Sequence, residues 1–115
     1  MGLKIAVLFS GNGTNMINII KAVSKKKISG QVVICVCDNS EAPGLKKLKK
    51  FNIKSLILKP SSYESKKDYQ LDLHKKLVEN KVNLICLAGF MRILVPDFVK
   101  KWKRKIINER RYRYK

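Results

Sequence analysis

The sequence predicts an α/β fold, a doubly wound parallel sheet in a three-layer αβα arrangement. Three observations carry this reading. Apolar runs such as Lys4–Phe9 (KIAVLF) and Val82–Ala88 (VNLICLA) are continuous rather than alternating, as strands buried on both faces are. Between such runs lie segments with apolar residues at helical spacing. The two kinds of segment alternate along the chain, the pattern of parallel strands joined by right-handed crossovers.

The elements follow in order. Lys4–Phe9 is the first strand, and Ser10–Asn15 is a Gly/Asn loop. Met16, Ile17, Ile19, Ile20 and Val23 then mark a helix, which Gly30 closes off from the next strand, Val32–Cys37. Asp38–Pro43 is a turn, with Pro43 opening a short Lys-rich helix to about Phe51. Ser55–Leu58 is a third strand, stopped by Pro60. After the polar loop Ser61–Ser65, a longer helix spans Lys66 to Asn80, with Tyr69, Leu73, Leu77 and Val78 as its inner stripe. Val82–Ala88 is the fourth strand and Gly89–Val95 an apolar loop. Pro96 starts a short helix through Trp102, and Lys105–Asn108 opens a fifth strand. The predicted strand order is 3-2-1-4-5, a Rossmann-like sheet whose order reverses between strands one and four.

Length and composition bound what such a domain can be. The 115 residues make one small domain, and 45% hydrophobic residues supply a core. Apolar runs as short as Leu84–Ala88 cannot cross a bilayer, so no membrane partner is expected. The N-terminus enters a strand at once, with neither a signal-peptide nor a presequence pattern, which reads as cytoplasmic. Cys35, Cys37 and Cys86 lie inside apolar strands and read as buried, reduced thiols. With a single histidine, His74, no metal site is expected. His74 falls mid-helix, away from the strand ends, and reads as a packing residue. The net charge of +18 invites anionic partners. The lysines are scattered over helix faces with few interleaved aromatics, so nucleic acid is not the expected ligand.

The loop after the first strand is the first candidate site. Gly11, Asn12, Gly13, Thr14 and Asn15 lead straight into a helix. Glycines let the backbone turn sharply, and a helix N-terminus offers free N–H groups to a phosphate. Thr14 or Asn15 are candidate caps. The spacing is G-x-G, but Met16 stands where a dinucleotide fingerprint has its third glycine, and no G-K-[ST] follows. Asp38, at the end of the second strand, is placed like a ribose-binding acid. The loop supports a monophosphate or nucleotide beside the first helix. The reversal of strand order sets the apolar loop after strand four against it across one crevice.

Ser10-Gly11-Asn12-Gly13-Thr14-Asn15 and Leu87-Ala88-Gly89-Phe90-Met91-Arg92-Ile93-Leu94 together resemble the phosphoribosylglycinamide (glycinamide ribonucleotide) formyltransferase family. The resemblance runs from Lys4 to about Asn108. It implies formyl transfer from 10-formyltetrahydrofolate, a co-substrate, to glycinamide ribonucleotide in purine synthesis, by a monomer or homodimer. It implies further that Gly13, Thr14 and Asn15 hold the ribonucleotide phosphate. Met91, Arg92, Ile93 and Leu94 would line the folate pocket, largely through backbone groups. Lys66 falls where the family has an arginine near the folate tail, keeping the charge without the bidentate fork. Asn108 matches the asparagine that would steady the formyl oxygen as charge builds on it. It is expected to contact folate as well.

After Asn108 the sequence departs from the family pattern Asn-Ile-His-Pro-Ser. Arg110 stands in the place of the catalytic histidine and cannot exchange protons near neutral pH. From Pro96 onward nine Lys/Arg face two Asp/Glu. The expectation is therefore a formyltransferase-like domain over residues 1–108, truncated after the fifth strand, with a divergent basic tail over 109–115. By itself the chain is expected to bind without turnover. Alternatives are a formyltetrahydrofolate hydrolase-like enzyme, a non-catalytic phosphosugar or nucleotide module, and a basic nucleic-acid binder.

Overall fold

A computed structural model describes residues 2–108. The basic segment 109–115, with Arg110, lies outside them. Five parallel strands form one sheet in the order β3-β2-β1-β4-β5. The strands are β1 (Leu3–Phe9), β2 (Gly30–Cys37), β3 (Lys54–Ile57), β4 (Leu84–Leu87) and β5 (Ile106–Asn108). The helices are α1 (Thr14–Ser24), α2 (Gly44–Lys47), α3 (Lys66–Glu79) and α4 (Pro96–Lys101). Short 3-10 turns at Leu48–Lys50 and Pro60–Ser62 complete the described elements.

The central strand explains why its sequence is apolar throughout. Ile5, Val7 and Phe9 face a core with Met16 and Ile20 of α1 and Leu48 beyond α2. Ala6 and Leu8 face a second core with Tyr69, Leu73 and Leu77 of α3 and Phe98 of α4. Successive side chains alternate between two buried layers, so no position is left for a polar residue. In β2 a bulge breaks that alternation. Ile5 pairs with Val32 and Ala6 with Ile34, which makes Val33 the extra residue. Val33 and Ile34 consequently pack toward the same layer.

Helix boundaries follow local chemistry. Ser65 caps α3, its Oγ accepting from the Asp68 N–H at 3.0 Å. Pro96 sits at the start of α4, where its missing N–H costs no helical bond. The cap of α1 is Gly13, at φ 76°, with no side-chain bond, so neither Thr14 nor Asn15 caps it as expected. Thr14 is already helical. The inner stripe of α3 also differs from expectation: Gln70 is buried, while Val78 is 54% exposed. Tyr69, Leu73 and Leu77 already fill the face toward the sheet, and Val78 lies a further 100° around the helix. All three cysteines are buried and free. Burial pushes the Cys35 thiol up to about 12 and raises that of Cys37 as well. Among the described residues, no helix is long and apolar enough to cross a membrane.

Candidate ligand cleft at the strand carboxyl ends

Strand order reverses between β1 and β4, so the chain leaves these neighbours toward opposite faces. Their carboxyl ends cannot both be covered by the same connection, and a crevice results. It measures about 730 Å³. Ser10–Asn15 form one side, Asp38 and Asn39 the floor at the end of β2, and Gly89, Met91 and Arg92 the other side.

The first side is shaped by close backbone approach. Gly13 has φ +76°, and a Cβ there would lie 2.8 Å from Met16 Cε and 3.0 Å from the Cα of Gly44. The Gly44 N–H donates to the Gly11 carbonyl at 3.0 Å, so the loop rests directly on the start of α2. Gly11 itself has open space around its missing side chain. The Ile17 N–H closes the first helical bond on the Gly13 carbonyl at 2.9 Å. The amides of Thr14, Asn15 and Met16 are thus unspent within the helix. No acidic residue occupies the first turn. The arrangement is a positive helix end opening on a polar cleft.

Asp38 forms the floor. Its side chain is 2% exposed, and Arg92 Nε donates to its Oδ2 at 2.7 Å. Oδ1 has no partner among the described residues. The carboxylate that resembled a ribose-binding acid is therefore already engaged by an arginine from the opposite side of the cleft. Burial raises the Tyr69 phenol, and the nearby Asp38 charge adds to the effect. The Tyr69 hydroxyl donates to the Leu58 carbonyl at 2.9 Å.

Arg92 and Met91 also wall a second cavity of about 350 Å³. Its other sides are Lys66 and Gln70 of α3, Pro60 and Ile93. Met91 and Ile93 present apolar side chains to solvent at 63% and 73% exposure. Leu94 instead packs against the α3/α4 core. Asn108 ends β5, in register with Leu87 of β4, and lines neither cavity. The structure thus brings together Gly11–Asn15 with Met91 and Arg92, and Lys66 with Met91–Ile93. It leaves the Leu94 side chain and Asn108 outside both groups.

His74 takes no part in either cavity. Its Nδ1 accepts from Trp102 Nε1 at 3.0 Å in the seam between α3 and α4. Burial lowers its pKa, with the Lys101 charge adding to the effect. Two side chains that sequence reasoning passed over do shape the site. Ser10 Oγ accepts from the Met91 N–H at 2.8 Å, tying the two loops together. Gln70 bonds the loop after β4 on both its amide atoms. For Gln70 the spacing of α3 offered no signal, because its partners lie on a loop 23 and 25 residues away.

The sequence pattern of the formyl transferase family matches residues 3–109. The trifunctional purine biosynthetic protein adenosine-3 of Gallus gallus is 39% identical over 92% of this chain, which covers 11% of that protein. Phosphoribosylglycinamide formyltransferase of Bacillus subtilis is 32% identical over 91% of this chain and 54% of its own length. Among solved structures, phosphoribosylglycinamide formyltransferase from Campylobacter jejuni superposes with a TM-score of 0.85 at 40% identity. That match covers 94% of this chain and 57% of the other. The chain spans about half the length of these single-function relatives.

Proposed function

The chain belongs to the formyl transferase family, and from that premise we propose that it forms the substrate half of a glycinamide ribonucleotide formyltransferase. The reaction is formyl transfer from 10-formyltetrahydrofolate to the glycinamide amine in purine synthesis. The observation that carries this is the polar cleft at the β1/β4 reversal, with the unspent amides of α1 on one side and Arg92 on the other. Gly11–Asn15 would hold the ribonucleotide phosphate. The second cavity fits a folate: an apolar wall at Met91 and Ile93, with cationic Lys66 for the carboxylate tail. As the amine attacks the formyl carbon, negative charge grows on the formyl oxygen, and an amide N–H of Asn108 would stabilise it. The reading needs no metal ion. It fits a cytoplasmic monomer or homodimer acting on small molecules rather than nucleic acid.

The same chemistry also needs a group that moves a proton at neutral pH. The sequence has one histidine, and His74 is engaged with Trp102 in the α3/α4 seam. That observation favours binding without turnover for the 115-residue chain alone. Adding glycinamide ribonucleotide to isotope-labelled chain tests the assignment. Amide resonances of residues 10–16 and 89–92 should move, and no formyl product should accumulate when folate donor is added. Shifts confined to the lysine-rich helix faces would contradict the cleft as the site.

A further inference from the structure

Burial of its own side chains holds the loop after β4 only in part, through Phe90, Leu94 and Val95 against the α3/α4 core. Met91 and Ile93 are largely exposed, and Gly89 lies at φ +79°. Ordering such a segment costs backbone entropy at every residue. Three polar side chains, from the loops after β1 and β2 and from α3, supply the rest of the hold. Ser10 takes the Met91 N–H and Asp38 takes Arg92 Nε. Gln70 makes two bonds: Nε2 donates to the Ile93 carbonyl at 2.8 Å, and Oε1 accepts from the Val95 N–H at 2.7 Å. One side-chain amide thus closes on both peptide units flanking Leu94.

Gln70 is 2% exposed and shares its helix face with Tyr69, Leu73 and Leu77. A buried amide is costly unless both ends are paired, so packing alone would favour an apolar residue here. Meanwhile the N–H groups of Arg92, Ile93 and Leu94 find no acceptor among the described residues. We propose that Gln70 is a positioning residue, fixing the loop so that these unspent amides keep preset directions toward a ligand. The chemistry on offer, backbone donors beside exposed apolar side chains, suits a flat heterocycle with carbonyl or ring-nitrogen acceptors. The inference rests on the loop being the folate wall, and adds the residue that sets its geometry.

Two variants test it, with amide hydrogen exchange of Met91 and Val95, the loop amides that have acceptors, and folic acid titration as readouts. Gln70→Met keeps the volume and loses both bonds. Protection of the loop and affinity for folic acid should each fall roughly tenfold, as for one or two lost hydrogen bonds. Binding of ribose 5-phosphate at Gly11–Asn15 should be unchanged. Gln70→Glu is near-isosteric and carries the test alone should the first variant not fold. Ionised, the new carboxylate still accepts from Val95 but repels the Ile93 carbonyl. Protonated, it donates again. Protection and affinity should therefore recover as pH falls, which a mere packing role would not produce. The charged groups facing this position are Lys66, Lys67 and His74 of α3, Arg92, and Asp97 and Lys101 of α4. The cations lower the carboxyl pKa and burial raises it, so the titration runs from about pH 8 to about pH 4. The unchanged chain and Gln70→Met, which both carry His74, give the baselines. Unchanged protection and affinity in Gln70→Met, or a pH-independent Gln70→Glu, would overturn the proposal. No folic acid binding by the unchanged chain, with loop protection still set by residue 70, would instead overturn the folate wall itself.

Discussion

At the scale of single residues, the cleft depends on one backbone conformation and one ion pair. Gly13 combines a positive φ with near-contact to α2. Gly13→Val should therefore lower the urea midpoint by the equivalent of about 1–3 kcal/mol. It should also weaken phosphosugar binding more than Gly11→Ala does, since position 11 has open space. The Asp38–Arg92 pair has one buried and one half-exposed partner. Arg92→Leu strands the buried carboxylate, while Asp38→Asn leaves the arginine in solvent. We expect Arg92→Leu to be the more destabilising, by about 1–2 kcal/mol in urea unfolding. Both residues were legible as candidates, one as a ribose acid and one as a folate contact. Their pairing was not, because they lie 54 positions apart and meet only through the register of strand ends.

At the scale of elements, hydrophobic periodicity located all five strands and the longer helices to within a few residues. It failed where tertiary demand overrode spacing. Periodicity places Val78 inward and gives no reason to bury Gln70, because the demand for Gln70 comes from a loop some two dozen residues away. Leu73→Ala should cost about 2–5 kcal/mol, while Val78→Ala should stay within about 0.5 kcal/mol. The α3/α4 seam adds a pH effect. The fold lowers the His74 pKa, so the folded chain resists protonation that the unfolded chain accepts near pH 6.5. The His74 contribution is present above that pH and is lost as pH falls through the folded pKa. Unfolding midpoints measured from pH 8 downward should show this loss. His74→Phe should flatten it, leaving only the acid dependence of the carboxylates. The bulge at Val33 was invisible in the sequence, since an extra valine in a valine-rich strand alters no pattern.

At the scale of the whole molecule, strand order decides where ligands sit and net charge decides what arrives. The order 3-2-1-4-5 was predicted by reading the alternation as a Rossmann-like doubly wound sheet, and with it the meeting of two loops distant in sequence. Asn108 and the Leu94 side chain are the parts of the candidate site that the fold leaves apart from both cavities. The excess of cations over a chain of net charge +18 should draw phosphorylated ligands over long range. Association rates with glycinamide ribonucleotide should fall as ionic strength rises, since the Debye length shortens to about 8 Å at 0.15 M. The central claim is that this chain folds with a working ribonucleotide cleft. Thermal unfolding with and without glycinamide ribonucleotide tests it most directly. Ligand at 100 times its dissociation constant should add roughly 2.7 kcal/mol, a midpoint rise on the order of 10 °C. A cooperative transition that moves this way is the predicted result. A cooperative transition that ignores the ligand, or the absence of any cooperative transition, would contradict the account.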